Sequence, residues 1–370
     1  MIEHDYWAMM GLATRKAGRF AIGRMTGSAY SLRCVVFHDV SAAESPFTKA
    51  MGVSITPGKF EAVLKFLVRY YTPVSLDEVL AGPRIGKLPQ RAVIVTFDDG
   101  YASAALCAEL CRELRVPAVF FLNAAFLDNK RLAPDNLVCY VANTFGMDVL
   151  NRAARAVKTS SVLHLQTMAD VFHRLFPILS PAERQEFLNA AAQLAGVDEG
   201  ALARQASLYL TSKQVRELAC EGSEIGSHTS NHVHCRTLAA PDMDGEIDRN
   251  KEELEAISGK RVRSFSVPYG SSADLNSELT QHLKSSGYQA AFLSESVANA
   301  AEADPLRIDR VSIRTGAAHA LFLQIEILPR LRVIRNRLFH RRTLKRAHAK
   351  PPFSLTQPEY SKESFERTQN

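Results

Sequence analysis

AVIVTFDDG, residues 92–100, decides how this chain is read. The run from Ala92 to Phe97 is apolar or β-branched throughout, which fits a strand buried on both faces. It stops at two adjacent carboxylates, Asp98 and Asp99, and Gly100 then permits a sharp turn. The residues that follow, through Leu114, read as a helix, and Ala118 to Leu122 as a second buried strand. Strand, helix and strand joined by short links predict parallel βαβ units.

The same rhythm extends outward. RCVVFH (33–38) reads as an earlier strand, and ITPGKFEAVLKFLVRYY (55–71) as a helix with Thr56 at its N-cap. Pro57 suits the first helical position, and Phe60, Val63, Leu64 and Leu67 form one apolar face. TPVSLDEVLAG adds a short strand and a short helix. Residues 125–210 break the alternation and predict several helices, an insertion. From Thr211 it resumes: helix SKQVRELACEG, strand EIGS running into HTSNH, a helix from Asp242 to Ile257, strand end SFSVPYG, a helix from Asn276 to Ser286, and strands in AAFLS and IDRVSI. About seven parallel strands, each followed by a helix, predict an α/β fold, an incomplete (β/α) barrel. The expected division is an amphipathic segment over 1–30, the barrel over 31–320 with its insertion at about 125–210, and a basic helix with a polar, disordered tail over 321–370.

Composition sets bounds. The chain has 370 residues, 46% hydrophobic and 23% charged, as in an ordinary globular protein. The net charge of +6 is too modest to indicate nucleic-acid binding. The excess gathers between Arg330 and Arg346, where eight Lys or Arg occur without an acid. That pattern fits either an ordinary solvated face or peripheral contact with an anionic membrane. No run of eighteen apolar residues exists, and MIEHDYW carries acids where a cleavable signal needs basic residues. The expectation is a cytoplasmic protein, with contact at the inner membrane face through the basic segment. Six irregularly spaced cysteines in a chain this long are expected to be reduced core residues.

Three pieces carry chemistry. Carboxylates at the carboxyl end of a barrel strand, such as Asp98 and Asp99, lie where this architecture places catalytic groups. The plainer alternative is a turn in which Asp99 caps the next helix. His228 and His232 stand four apart in HTSNH and, were the loop helical, would turn toward one metal. His234 and Cys235 are nearby lesser candidates. Such short histidine patterns also occur on ordinary surfaces and in cores. VPYG (267–270) makes a rigid turn able to aim a backbone N–H.

In this order the pieces resemble the polysaccharide deacetylases, also called NodB-homology or carbohydrate esterase family 4 enzymes. The likeness spans roughly residues 33–315, including the approach LTSKQVRELACEGSEIGSH. It implies a distorted (β/α) barrel with fewer than eight strands and metal-dependent removal of an acetyl group from an N-acetylated sugar. By position, Asp98 would be the base, and Asp99, His228 and His232 the metal ligands. Tyr269 would offer its N–H to the oxyanion, with Pro268 and Tyr269 against the substrate. Two His and one carboxylate suit zinc, and cobalt, nickel, manganese and iron also fit. An O-acetyl esterase on the same residues, or a non-catalytic carbohydrate-binding barrel, are the alternatives.

The chain departs from the pattern twice. The arginine that usually supports the base is replaced by Ser266, as in a subset of the family, and Arg310 or Arg263 is expected to take its place. The family's tryptophan loop and Leu-x-His are absent, the only tryptophan being Trp7. His38, in FHDV, is expected to serve as general acid; otherwise it is a histidine fixed by a backbone hydrogen bond.

Overall fold

The computed structural model describes residues 30–81, 88–160 and 163–336. Its strands in chain order are β1 (Tyr30–Phe37), β2 (Asp39–Val40), β3 (Ser54–Ile55), β4 (Thr72–Pro73), β5 (Ala92–Phe97) and β6 (Ala118–Leu122). After a long helical stretch come β7 (Glu224–Ser227), β8 (Ser264–Ser266), β9 (Ala290–Leu293), β10 (Asn299–Ala300), β11 (Ile308–Asp309) and β12 (Val311–Ser312). β1, β5, β6, β7, β8, β9 and β11 are successive parallel neighbours. β12 then pairs in parallel with β1. Only Arg310 separates β11 from β12, so one segment bonds β9 with its first half and β1 with its second. That segment closes a barrel of seven parallel positions, fewer than eight as expected, with one seam. Asn299 staples the seam. Its amide donates to Leu32 O and Asp309 O and accepts from Asp309 N.

Side chains alternate across each strand, so parity decides what faces the axis. Leu32, Cys34, Ala92, Ile94, Val119, Phe121, Ala290, Phe292 and Ile308 pack together inside. Their neighbours Val35, Phe37, Val93, Val95, Phe97, Phe120, Ala291 and Leu293 pack against the surrounding helices. Space inside is tight at Gly226, where a Cβ would lie 2.4 Å from the Phe121 ring. The same parity turns Asp98, Ser266 and Arg310 inward at the carboxyl end.

The helices also follow the sequence pattern. α1 (Pro57–Tyr70) starts after Thr56 and buries Phe60, Val63, Leu64 and Leu67. Thr56 has the extended N-cap backbone, but its side chain makes no capping bond. Between β6 and β7 lie α2 (Pro134–Phe145), α3 (Met147–Ala156), α4 (Pro181–Ala195) and α5 (Glu199–Ala206). They share a second apolar core that includes Phe126, Leu137, Val141, Leu150 and Phe187. This core meets the barrel rim where Leu210 N donates to Gly100 O and Tyr101 bridges to Tyr209. All six cysteines are free, and five are buried.

The basic C-terminal segment is helical as far as residue 336, and Glu326 anchors it through a buried ion pair with Arg33 at 2.8 Å. The expected tail beyond residue 336 and the expected N-terminal amphipathic segment before Tyr30 lie outside the described residues. No helix among the described residues is long and apolar enough to cross a membrane.

Asp274 clamps two rim loops together. Fully buried, it accepts from Arg236 Nε and Nη2 at 2.8 and 2.7 Å and lies 3.2 Å from His234 Nδ1. Burial alone would raise its pKa, but the bonds from Arg236 and His234 outweigh that and hold it at about 2. The folded carboxyl thus titrates below its ordinary value of 3.8. The stabilisation is complete above that value and is lost as pH falls through about 2. Urea unfolding measured between pH 5 and pH 2 should show about 1–2 kcal/mol of this loss after allowance for solvent screening, and Asp274→Asn should lack that component.

Candidate active site

Asp98 continues the inward parity of Ala92, Ile94 and Thr96, which places a carboxylate only 4% exposed at the mouth of the barrel. A charge so buried needs a partner. Arg310 supplies it as a two-pronged fork: Nη1 donates to Oδ1 and Nη2 to Oδ2, both at 2.7 Å. Ser266 Oγ accepts from Nη2 at 2.7 Å and donates to Asp98 Oδ2 at 3.1 Å. The guanidinium carbon lies 5.5 Å from the centroid of Phe121 and 5.9 Å from that of Phe292. Burial pushes the Asp98 carboxyl up, but the charge and bonds of Arg310, with His228 and His38, hold it below the usual carboxylate range. The small Ser266 leaves room for an arginine that arrives from the seam. Arg263 does not take this role. It precedes β8 at the opposite end and is engaged by Glu224 at 3.0 Å and Asp77 at 2.6 Å.

Asp99, His228 and His232 converge beside Asp98. Each offers one ligand atom within 4.8 Å of the others. Asp99 Oδ1 lies 3.4 Å from His228 Nε2 and 3.5 Å from His232 Nε2. It is buried and satisfies no hydrogen bond among the described residues. Both Nδ1 atoms are occupied: His228 Nδ1 lies 2.7 Å from Ser266 O, and His232 Nδ1 lies 2.7 Å from Asp135 Oδ2. This leaves two Nε2 atoms and an orphaned carboxylate oxygen facing one point, which fits three ligands of a divalent cation with an open position. Burial opposes the charge of Asp99, but His228, His232 and His38 outweigh it and lower its pKa. Burial likewise opposes protonation of His232, and Asp135 overcomes it, raising that pKa.

The loop that carries the histidines is not helical. Thr229 and His232 have φ of 60° and 51°, in the left-handed region. The two rings converge because the surroundings hold the loop. Asn123 Nδ2 donates to His228 O and Thr229 O. Arg184 donates to His232 O at 2.7 Å and Asn231 O at 2.6 Å. His234 is not a ligand here; its ring stacks on Tyr269 at 3.7 Å and lies beside Asp274. Cys235 is buried in the apolar core.

The VPYG turn closes the site. Tyr269 has φ of 60°, and its hydroxyl donates to Asp135 Oδ1 at 3.0 Å. Gly270 has φ of +66°, and a Cβ there would lie 2.4 Å from the Cβ of Ser294, so only glycine fits. Pro268 is buried and shapes the turn from beneath, whereas Tyr269 is half-buried. His38 follows β1 directly, half-buried, and feels the charges of Asp99 and Asp98. Its burial, the largest influence, lowers the imidazole pKa, and the two carboxylates offset this only in part. Among the described residues nothing hydrogen-bonds its ring.

Sequence reasoning missed Asp135, Arg184 and Asn123. Asp135 lies 97 residues from His232, in a Pro-Asp-Asn sequence that reads as an ordinary acidic helix start. Arg184 is one of many basic residues on the insertion helices. Neither carries a spacing signal.

Comparison with known proteins agrees with this fold. The Streptococcus pyogenes deacetylase PplD, solved in complex with acetate, is 14% identical, with a TM-score of 0.53 over 80% of this chain and 98% of that one. A polysaccharide deacetylase from Bacillus cereus is 16% identical, with a TM-score of 0.51 over 80% of this chain and 69% of that one. At these identities the likeness is one of fold. No curated protein matches the chain in sequence. Residues 85–291, more than half of the chain, match the model of the family described as polysaccharide deacetylase. That span holds Asp98, Asp99, both converging histidines and the Tyr269 turn, and the chain belongs to the polysaccharide deacetylase family.

Proposed function

We propose that the chain hydrolyses the acetyl group from an N-acetylated sugar, with a divalent cation held by Asp99, His228 and His232. The observation that carries this reading is the inward Asp98 beside three converging ligand atoms, one of them a buried oxygen with no hydrogen bond. When bound, a cation there supplies Lewis acidity, polarising the acetyl carbonyl and acidifying a water. Two imidazoles and a carboxylate suit zinc, and cobalt, nickel, manganese and iron also fit the donor set.

The protein's own groups divide the remaining work. Asp98, kept ionised and aimed by Arg310, accepts a proton from the attacking water. The water oxygen bonds to the acyl carbon, and the charge that collects on the carbonyl oxygen meets the Tyr269 N–H. The carbon–nitrogen bond breaks as His38, in its protonated form, gives a proton to the departing nitrogen and returns to the neutral imidazole. The products are acetate and a free amine. An amide needs its leaving nitrogen protonated far more than an ester needs its oxygen protonated, so the imidazole at this position favours N-acetyl over O-acetyl substrates. Arg310 partners Asp98 where the family's usual arginine is replaced by Ser266, which counts against the non-catalytic alternative.

The basic segment from Arg330 to Arg346 suits an enzyme whose sugar is linked to a lipid carrier at an anionic membrane surface. Sedimentation with phosphatidylserine-containing vesicles is predicted to retain the full chain and release one truncated after residue 329; equal partitioning would defeat this. Acetate release from N-acetylated chito-oligosaccharides measures the rest. Arg310→Ala should lower kcat about 100-fold by leaving Asp98 misaimed, while Arg263→Ala stays near wild type. His38→Gln should lower kcat by about 100-fold or more with metal content unchanged; unchanged turnover would remove the general-acid assignment.

A further inference from the structure

We infer that Asp135 is a positioning residue through which the helical insertion aligns the metal ligand His232 with the turn at Tyr269. This rests on the function proposed above. Asp135 is only 3% exposed and sits at the start of α2, outside the barrel strands. Its Oδ2 lies 2.7 Å from His232 Nδ1, and its Oδ1 accepts from the Tyr269 hydroxyl at 3.0 Å. One carboxylate therefore touches two elements that come from different barrel loops and do different chemistry.

Both of those residues need holding. His232 and Tyr269 are non-glycine residues in the left-handed region, at φ of 51° and 60°. Such conformations persist only where surrounding contacts fix them. For His232, the insertion supplies two grips: Asp135 on the ring, and Arg184 of α4 on the carbonyls of Asn231 and His232. Arg184 is itself 5% exposed. For Tyr269, the ring stacks on His234 with an interplanar angle of 11°, and Asp135 fixes the far end. A carboxylate at Nδ1 keeps the proton there and leaves the Nε2 lone pair for a cation. Through its second oxygen the same group fixes where the Tyr269 backbone sits relative to that cation. The insertion is then part of the reaction machinery as well as a wall of the cleft.

A plainer role is open to Asp135: an acid in the first turn of a helix favours the helix dipole. The two roles separate on substitution. Asn keeps the size but serves only one of the two partners as an acceptor. Glu keeps the charge but displaces the carboxylate by a methylene. Full-length protein freed of metal would be titrated with cobalt(II), followed by visible absorption, and turnover measured on an N-acetylated chito-oligosaccharide. Asp135→Asn is expected to weaken cobalt affinity by about 10–100-fold and to alter the absorption envelope. Asp135→Glu is expected to weaken it too, whereas a purely helix-stabilising acid would tolerate Glu. Tyr269→Phe should keep cobalt affinity within about threefold while kcat falls about tenfold at unchanged KM. The double variant Asp135→Ala/Tyr269→Phe should turn over no more slowly than Asp135→Ala alone, because alanine already leaves the hydroxyl without its partner. Wild-type cobalt affinity and spectrum in Asp135→Asn and Asp135→Glu, or losses that multiply in the double variant, would overturn the inference and leave the proposed function standing. Failure of the wild-type chain to bind cobalt would instead remove the proposed function, and this inference with it.

Discussion

Asp98 can carry a charge at the mouth of an apolar barrel only because Arg310 meets it there with both prongs of its guanidinium. Burying two ions costs several kcal/mol each before their attraction returns anything. An apolar pair of similar volume would serve stability at least as well, so the pair is a weak device for holding the barrel together. What it secures is an ionised carboxylate in one orientation, beside the point where three ligand atoms converge. Much of the local design follows from it. Residue 266 must be small enough to let the guanidinium through, and Phe121 and Phe292 flank the cation. The closing segment must change partners from β9 to β1 at Arg310 itself.

The candidate metal site has a different physical basis. The barrel supplies Asp99 and His228 from strand ends, but His232 hangs on an irregular loop with strained backbone. Its orientation comes from outside the barrel, through Asp135 and Arg184. The insertion has its own apolar core, so it can brace these two polar groups rigidly against the loop. The site is thus assembled between two packed bodies. Barrel parity aims Asp98, and the second core aims His232.

Much of the barrel was legible along the chain. The unbroken apolar run ending at Asp98 gave the strand, and simple alternation from Ala92 points that carboxylate inward. The order of TFDDG, HTSNH and VPYG gave the family, and the converging trio was readable from it. Other features depend on three-dimensional register that no spacing encodes. Arg310 and Asp98 are 212 residues apart, and only closure at the seam brings them together. Arg263 looked equally suitable in sequence, yet its position before β8 puts it at the other end of the barrel, with Glu224. The helical loop expected to bring His228 and His232 together is an irregular one, because carbonyl contacts from Asn123 and Arg184 replace local helix bonds. Asp135 gave no signal, since an acid after proline at a helix start is ordinary.

The most direct test of the account is an anomalous difference map, recorded at the zinc edge, from a crystal of the full chain grown with zinc. The account predicts one strong peak about 2.0–2.2 Å from an Asp99 oxygen and from Nε2 of both His228 and His232, with Asp98 adjacent and still forked by Arg310. No peak at that point, or a zinc bound through either Nδ1 atom, would contradict it.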